Sequence, residues 1–252
     1  MISRDELVSF LNQHLQSERI RDYCPNGLQV EGKRQIHKVV TGVTASQALL
    51  DAAVKANADA ILVHHGYFWK NETPVITGIK KRRLQTLLQH DMNLFGFHLP
   101  LDIHPELGNN AQLGQLLGIE KIEAVASVEP VGVVMHGYLP TPMTLADLGQ
   151  LVNLKLQRPP LVHAGHSGLV QHVAWCTGGG QGYIDVAADL GADLFISGEV
   201  SEQTIHIANE RQIHYIAAGH HATERYGIRA LAMEMATWPG LTVEFMDLPN
   251  PA

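Results

Sequence analysis

Apolar and polar positions alternate along this chain in a way that separates strand-like from helix-like stretches. His37-Lys38-Val39-Val40-Thr41-Gly42-Val43 is a short β-branched run and predicts a strand. Residues 46–57 are rich in Ala and Leu and predict a helix. Ala58-Asp59-Ala60-Ile61-Leu62-Val63 is a second strand, closed by His64-His65-Gly66. A helix over 80–90 leads to a third strand, Met92–Phe97, which ends at His98. Ahead of this series, residues 3–17 predict a helix opened by Ser3, with Glu6 three positions on as a capping partner. The loop Tyr23-Cys24-Pro25-Asn26-Gly27 follows it.

The same order returns further on. Gln171–Cys176 is a strand, and a Gly-rich turn leads to a helix near 181–190. Gly191–Ile196 is a strand ending in Ser197-Gly198-Glu199, followed by a helix near 201–210. Ile213–Ala218 is a strand ending in Gly219-His220-His221, before a helix over 221–235. The Ala-Asp strands at 58–63 and 192–197 match almost position for position, which predicts an internal duplication. The expected fold class is α/β: two similar lobes, 1–125 and 126–252, each a parallel-type sheet flanked by helices. Between them, Val131–Leu139 reads as a strand and 144–155 as a helix started by Thr144. The proline-punctuated stretch 120–165 is either an inserted subdomain or an excursion connecting the lobes.

Composition narrows the function classes. A chain of 252 residues, 45% hydrophobic and 17% charged, is long enough for one large or two small cores. It has no apolar run near the roughly 20 residues of a membrane helix, and its start lacks a signal-peptide pattern. A cytoplasmic protein is expected. Cys24 and Cys176 are far apart and form no CxxC motif, so neither a disulfide framework nor a thiolate zinc site is expected. The net charge of -7 argues against a broad nucleic-acid surface. The run Lys80-Lys81-Arg82-Arg83, set against Leu84, Leu87 and Leu88, reads as a solvated helix face.

Histidine changes the picture: there are fifteen, several beside each other or beside carboxylates. Ligands of open parallel sheets gather outside the carboxyl ends of strands, where the repeat places four groups. These are His64-His65, His98-x-x-x-Asp102, Glu199, and His220-x-x-x-Glu224. Superposing the repeats sets His65 opposite Glu199, His98 opposite His220, and Asp102 opposite Glu224. The spacing of His220 and Glu224 suits one face of a helix, whereas Pro100 and Pro105 put Asp102 on a loop. This mixed nitrogen and oxygen set suits Zn, Mn, Fe or Ni rather than calcium. Two ions sharing one carboxylate is the economical arrangement, with Glu224 as candidate bridge. His98 is read as a group that supports a ligand or as a proton shuttle, and not as a direct ligand.

Three weaker signals remain. Thr177-Gly178-Gly179-Gly180-Gln181-Gly182 matches no dinucleotide or P-loop fingerprint and reads as a phosphate cradle or a tight turn. Tyr67-Phe68-Trp69 either stack on a ring or pack in their loop. Asn109 or Asn110 caps a helix over 111–117.

Taken together, several segments resemble the Nif-three-like dinuclear-metal family, the type 2 homologues of GTP cyclohydrolase I, and most closely its bacterial YbgI-like branch. They are Pro25–Gly32, Thr41–Thr44, Val63–Trp69, His98–Asp102, Glu106–Asn110, Gly198–Glu202 and Ala218–Arg225. The resemblance spans essentially the whole chain. It implies metal ligation by His64, His65, Asp102, His220 and Glu224, and a homohexameric ring with its sites facing an interior cavity. The function expected first is a hydrolase acting on a nucleotide-like substrate, with GTP ring opening as the reaction the family name suggests. Two ions about 3.5–4 Å apart lower the pKa of a shared water, and His98 or Glu199 moves protons. The rival expectation is a non-catalytic metal-containing ring that binds nucleic acid or a protein partner, with a role in DNA damage resistance. A third is metal storage or delivery.

Overall fold

The computed structural model describes all residues, 1–252. In chain order its first elements are β1 (Ile2–Ser3), α1 (Arg4–His14), β2 (Gly27–Val30), β3 (Gln35–Ile36), β4 (Lys38–Thr44), α2 (Gln47–Lys55), β5 (Ala60–His65), α3 (Gly78–Gln89), β6 (Asn93–Gly96) and α4 (Leu99–Asp102). Then come α5 (Asn109–Leu116), β7 (Glu120–Ala124), β8 (Met135–Met143), α6 (Leu145–Leu156), β9 (Leu161–His163), β10 (Val170–Cys176) and α7 (Ile184–Asp189). The chain closes with β11 (Leu194–Ser197), α8 (Glu202–Glu210), β12 (His214–Ala217), α9 (His220–Met235) and β13 (Thr242–Phe245).

Two compact units share these elements: Met1–Leu101 with Gly227–Pro249, and Asp102–Tyr226 with Asn250–Ala252. The boundary expected at 125/126 is therefore not where the contacts divide. The reason is strand pairing at the C-terminus: β13 pairs in parallel with β4, returning the end of the chain to the first unit. The stretch 120–165 is neither an insertion nor an excursion. Its strands belong to the second sheet, β8 pairing with β10 and β9 with β12. The strand expected at 131–139 lies later, at Met135–Met143.

The first unit is built on a five-stranded sheet ordered β13-β4-β5-β6-β2, parallel except for β2. Val40, Ile61, Val63 and Leu94 from its strands meet Leu49, Leu50 and Ala53 of α2 and Leu84 and Leu87 of α3. The second unit has a six-stranded sheet ordered β7-β8-β10-β11-β12-β9, with β10, β11 and β12 mutually parallel. Val173, Trp175, Leu194, Ile196 and Ile216 pack there with Leu113 of α5 and with Leu148, Val152 and Leu156 of α6. Side-chain caps start three of the helices, two of them, at Ser3 and Thr144, as the sequence foretells. Ser3 and Glu6 form a capping box, Ser46 accepts from the Leu49 amide, and Thr144 accepts from the Asp147 amide.

The duplication holds down to single hydrogen bonds. Asp59 Oδ2 accepts from the amides of His37 and Lys38, and Asp193 Oδ2 accepts from those of Gln171 and His172. The Asn93 amide donates to the Asp59 carbonyl, and the His214 amide to the Asp193 carbonyl. This register corrects the superposition at the last strands. Phe97 and Ala218 make the equivalent bonds, to Val63 and Ser197, so His98 corresponds to Gly219 and not to His220. Asp102, the fourth residue of its helix, then corresponds to Thr223 rather than Glu224.

Candidate metal centre

In the first unit, β5 and β6 deliver three imidazoles to one place. His64 is fully buried, and its ring centre lies 4.4 Å from that of His65 and 5.2 Å from that of His98; His65 and His98 are 5.8 Å apart. A nitrogen from each of the three lies within 4.8 Å of the others. Their outer nitrogens are fixed by partners. His64 Nδ1 is 3.0 Å from the Phe97 carbonyl, which can only accept, so Nδ1 carries the proton and Nε2 presents its lone pair. His65 Nδ1 lies 3.1 Å from Thr44 Oγ1.

His98 is held by a residue that the sequence did not single out. Asp22 Oδ1 lies 2.7 Å from His98 Nδ1, while Oδ2 accepts from the Leu99 amide and from Asn26 Nδ2. Burial works against the Asp22 charge. Its hydrogen bonds with His98, Asn26 and the Tyr23 amide outweigh that and hold its carboxyl below the usual range. Asp22, Cys24 and His98 also bring ligand atoms within 4.8 Å of one another. The Cys24 thiol is pushed up to about 12 by burial and then by the Asp22 charge, which makes it a weaker donor than the imidazoles.

The aromatic triplet splits three ways. Tyr67 is buried, with its hydroxyl donating to the Ala45 carbonyl; Trp69 meets His98 edge-on at 4.9 Å; Phe68 is exposed.

In the second unit, α9 starts at His220 directly after β12. One helical turn sets His220 Nε2 3.1 Å from Glu224 Oε2, while His220 Nδ1 lies 2.7 Å from Glu199 Oε1. The Glu224 hydrogen bond, opposed by burial and reinforced by both carboxylate charges, raises His220 to about 9. Glu199 also accepts from Gln181 Nε2 at 3.3 Å.

Asp102 ends the four-residue helix α4, not a loop. Pro100 sits in the first turn, where its missing N–H leaves no bond unmade. Asp102 Oδ1 accepts from Asn109 Nδ2 at 2.8 Å. The capping role expected of the asparagines is corrected here. Gly108 is the N-cap of α5, and Asn109 and Asn110 lie inside the helix, buried. Asn110 donates to the carbonyls of Gly132 and Val133 and accepts from the Thr177 amide.

The Gly-rich loop is a tight turn braced against this centre. Gly178 has φ +63°, and a Cβ there would land on the Glu224 carboxylate. Its amide donates to Thr223 Oγ1 at 3.0 Å, and its carbonyl accepts from the Gly198 amide at 2.9 Å.

The donor set suits a divalent metal. Asp102 and Glu224 are only 7% and 3% exposed, and carboxylate oxygens of the two lie within 4.8 Å of each other. Two like charges so close, away from water, need a proton or a cation between them. Imidazole with carboxylate is a set that Zn, Mn, Fe or Ni accepts. Clusters of His, Asp and Glu in this chain can thus bind metal ions.

Fold and centre together define a duplicated α/β protein that gathers imidazole and carboxylate donors at the ends of its parallel strands. Residues 2–251 match the family Duf34/NIF3 (NGG1p interacting factor 3), and the chain belongs to that family. A relative in Haemophilus influenzae, called GTP cyclohydrolase 1 type 2 homolog, is 55% identical over 250 residues, 98% of each chain. One of the same name in Escherichia coli K12 is 57% identical over 249 residues, again 98% of each chain. The solved structure of protein ybgI, described as of unknown function, superposes with a TM-score of 0.94 at 56% identity and covers 100% of both chains. The motif resemblance therefore stands. No helix is long and apolar enough to cross a membrane.

Proposed function

We propose that this protein is a dinuclear metal-dependent hydrolase acting on a nucleotide-like substrate. His64, His65, Asp102, His220 and Glu224 would hold two divalent ions. The observation that carries the reading is the Asp102–Glu224 pair, two buried carboxylates within 4.8 Å that call for a cation. Bound ions supply Lewis acidity and a water activated at neutral pH. The chain's own residues do the rest. The Phe97 carbonyl turns His64 Nε2 inward. Glu199 orients His220, which supports a positioning role for it in place of proton transfer. His98, backed by Asp22, keeps Nε2 for moving a proton to or from substrate.

The relatives' name makes GTP the first substrate to try. Elemental analysis should find about two ions per chain in the wild type. A nucleotide-hydrolysis panel should show turnover that falls in Glu224→Ala to the level of chelated protein, and that returns to the wild type on adding metal back. Equal turnover by chelated and loaded protein would end the proposal. We place the chain in the cytoplasm as a homohexameric ring, which light scattering of the purified protein checks.

A further inference from the structure

A cavity in the first unit is not used by the metal centre. It holds about 120 Å³ and is lined by Tyr67, Glu72, Ile79, Lys80 and Arg83, several times the ~10–15 Å³ that one water needs. Two of the four consecutive cations 80–83 turn into it. Residues three apart share a helix face, so Lys80 and Arg83 reach the cavity while Lys81 and Arg82 stay exposed. The solvated face expected from sequence therefore holds for only half of the run.

The lining is short of negative charge. The Lys80 side chain is 12% exposed; its Nζ donates to the Thr73 carbonyl at 2.9 Å, stands 5.4 Å from the Phe68 ring centre and 3.5 Å from Glu72 Oε1. Glu72 is the one acid among the lining residues, and its Oε2 already accepts from the Phe68 and Trp69 amides. The Arg83 guanidinium lies 5.9 Å from the Tyr67 ring centre, and its Nε is buried with no hydrogen-bond partner. A buried charged donor left unpaired is unfavourable. So are cations in the first turn of a helix, where they oppose its dipole. Yet α3 has no acidic residue in that turn, and its N-cap Thr77 makes no side-chain bond. One anion in the cavity relieves all of these together. Ile79 and Phe68, 58% and 37% exposed, offer apolar surface beside it for the body of such a ligand.

We propose that this cavity is a phosphate-binding subsite for a nucleoside phosphate, with Lys80 and Arg83 as its donors. Tyr67 follows His65 by two residues, so the cavity wall begins within about 7 Å of chain from the β5 histidines. The proposal rests on the hydrolase reading for its nucleotide and deepens it by naming the charged end of the substrate.

Binding tests it without reference to turnover. Metal-loaded wild type, Arg83→Gln, Lys80→Gln/Arg83→Gln and the exposed control Lys81→Gln/Arg82→Gln are titrated calorimetrically with GTP, pyrophosphate, guanosine and a dT oligonucleotide. Metal content and unfolding midpoint are read on the same samples. GTP and pyrophosphate should bind the wild type and the control alike, and about tenfold more weakly in the inward double variant. Guanosine binding and metal content should not change. Three results would each overturn the subsite: GTP binding no better than guanosine, an equal loss in the exposed control, or a response to the oligonucleotide alone. Binding without turnover would keep the subsite and sink the hydrolase; turnover indifferent to both cations would do the reverse.

Discussion

Gly178 shows how much one absent Cβ can decide. Its backbone is left-handed at φ +63°, and a Cβ added there would collide with the carboxylate of Glu224 and close on His220 Nε2. Gly178→Ala both strains the turn and displaces Glu224, so it should lower stability by about 1–3 kcal/mol and cost most of the bound metal. Thermal unfolding and elemental analysis of the variant read the two effects separately, and a variant that keeps its metal would show that Glu224 is free to move. Asp22 acts at the same scale. Asp22→Asn leaves His98 in place but removes the charge behind Nδ1, so kcat should fall about a hundredfold while metal content stays level. Steady-state kinetics on metal-matched samples decides this. Nothing in the sequence marked Asp22, because its partner lies 76 positions away and a single Asp in a loop has no periodicity to betray it. Its neighbours Tyr23–Gly27 stood out as a loop, and Pro25–Gly27 as the start of a segment that resembles the family.

The elements legible in advance were those whose apolar pattern matches their burial. β5 is buried along nearly its whole length and was read from its unbroken apolar run. α2 was read from its Ala- and Leu-rich run, and α6 from Thr144 at its start. What escaped were short or edge elements. β13 alternates exposed and half-buried positions, β7 is mostly exposed, and α4 is a single turn containing a proline. Their existence depends on partners that composition does not name. The Ala-Asp repeat was visible as a pattern, but its purpose was not: each Asp ties down the start of the preceding strand. For Asp59 this has a pH signature. Burial opposes its charge, but hydrogen bonds from Lys33 and from the His37 and Lys38 amides prevail, and its carboxyl sits below the usual 3.8. The folded state therefore binds that proton less readily than the unfolded one. The stability from Asp59 is complete above 3.8 and is lost as pH falls through the depressed folded value. Asp59→Ala should cost about 2–3 kcal/mol at neutral pH, as expected for hydrogen bonds to a charged group. That deficit should shrink towards acid. Denaturant titrations from pH 7 to pH 2 test it, and a pH-independent deficit would assign the loss to packing instead.

For the whole molecule, the duplication was legible and the partition was not, because the repeat is written in local pattern while the partition depends on β13 returning to β4. The difference matters for the metal. A cut at 125/126 puts Asp102 with the first histidines, whereas the contacts put Asp102 with His220 and Glu224 in the second unit. That unit then carries both buried carboxylates. Stripping the ions with a chelator should destabilise the protein by the free energy of the lost binding. With free metal at a hundred times the dissociation constant, each ion contributes about 2.7 kcal/mol, or about 5–10 °C in the unfolding midpoint for a chain of this size. The loss should be uneven. Hydrogen exchange should speed up first around Gly178 and Gly198, whose amides are bonded to Thr223 and to the Gly178 carbonyl beside Glu224. The distant Asp193 anchor should keep its protection. A metal-free wild type as stable as the loaded one, with unchanged exchange at both glycines, would mean that the two carboxylates share a proton and need no ion.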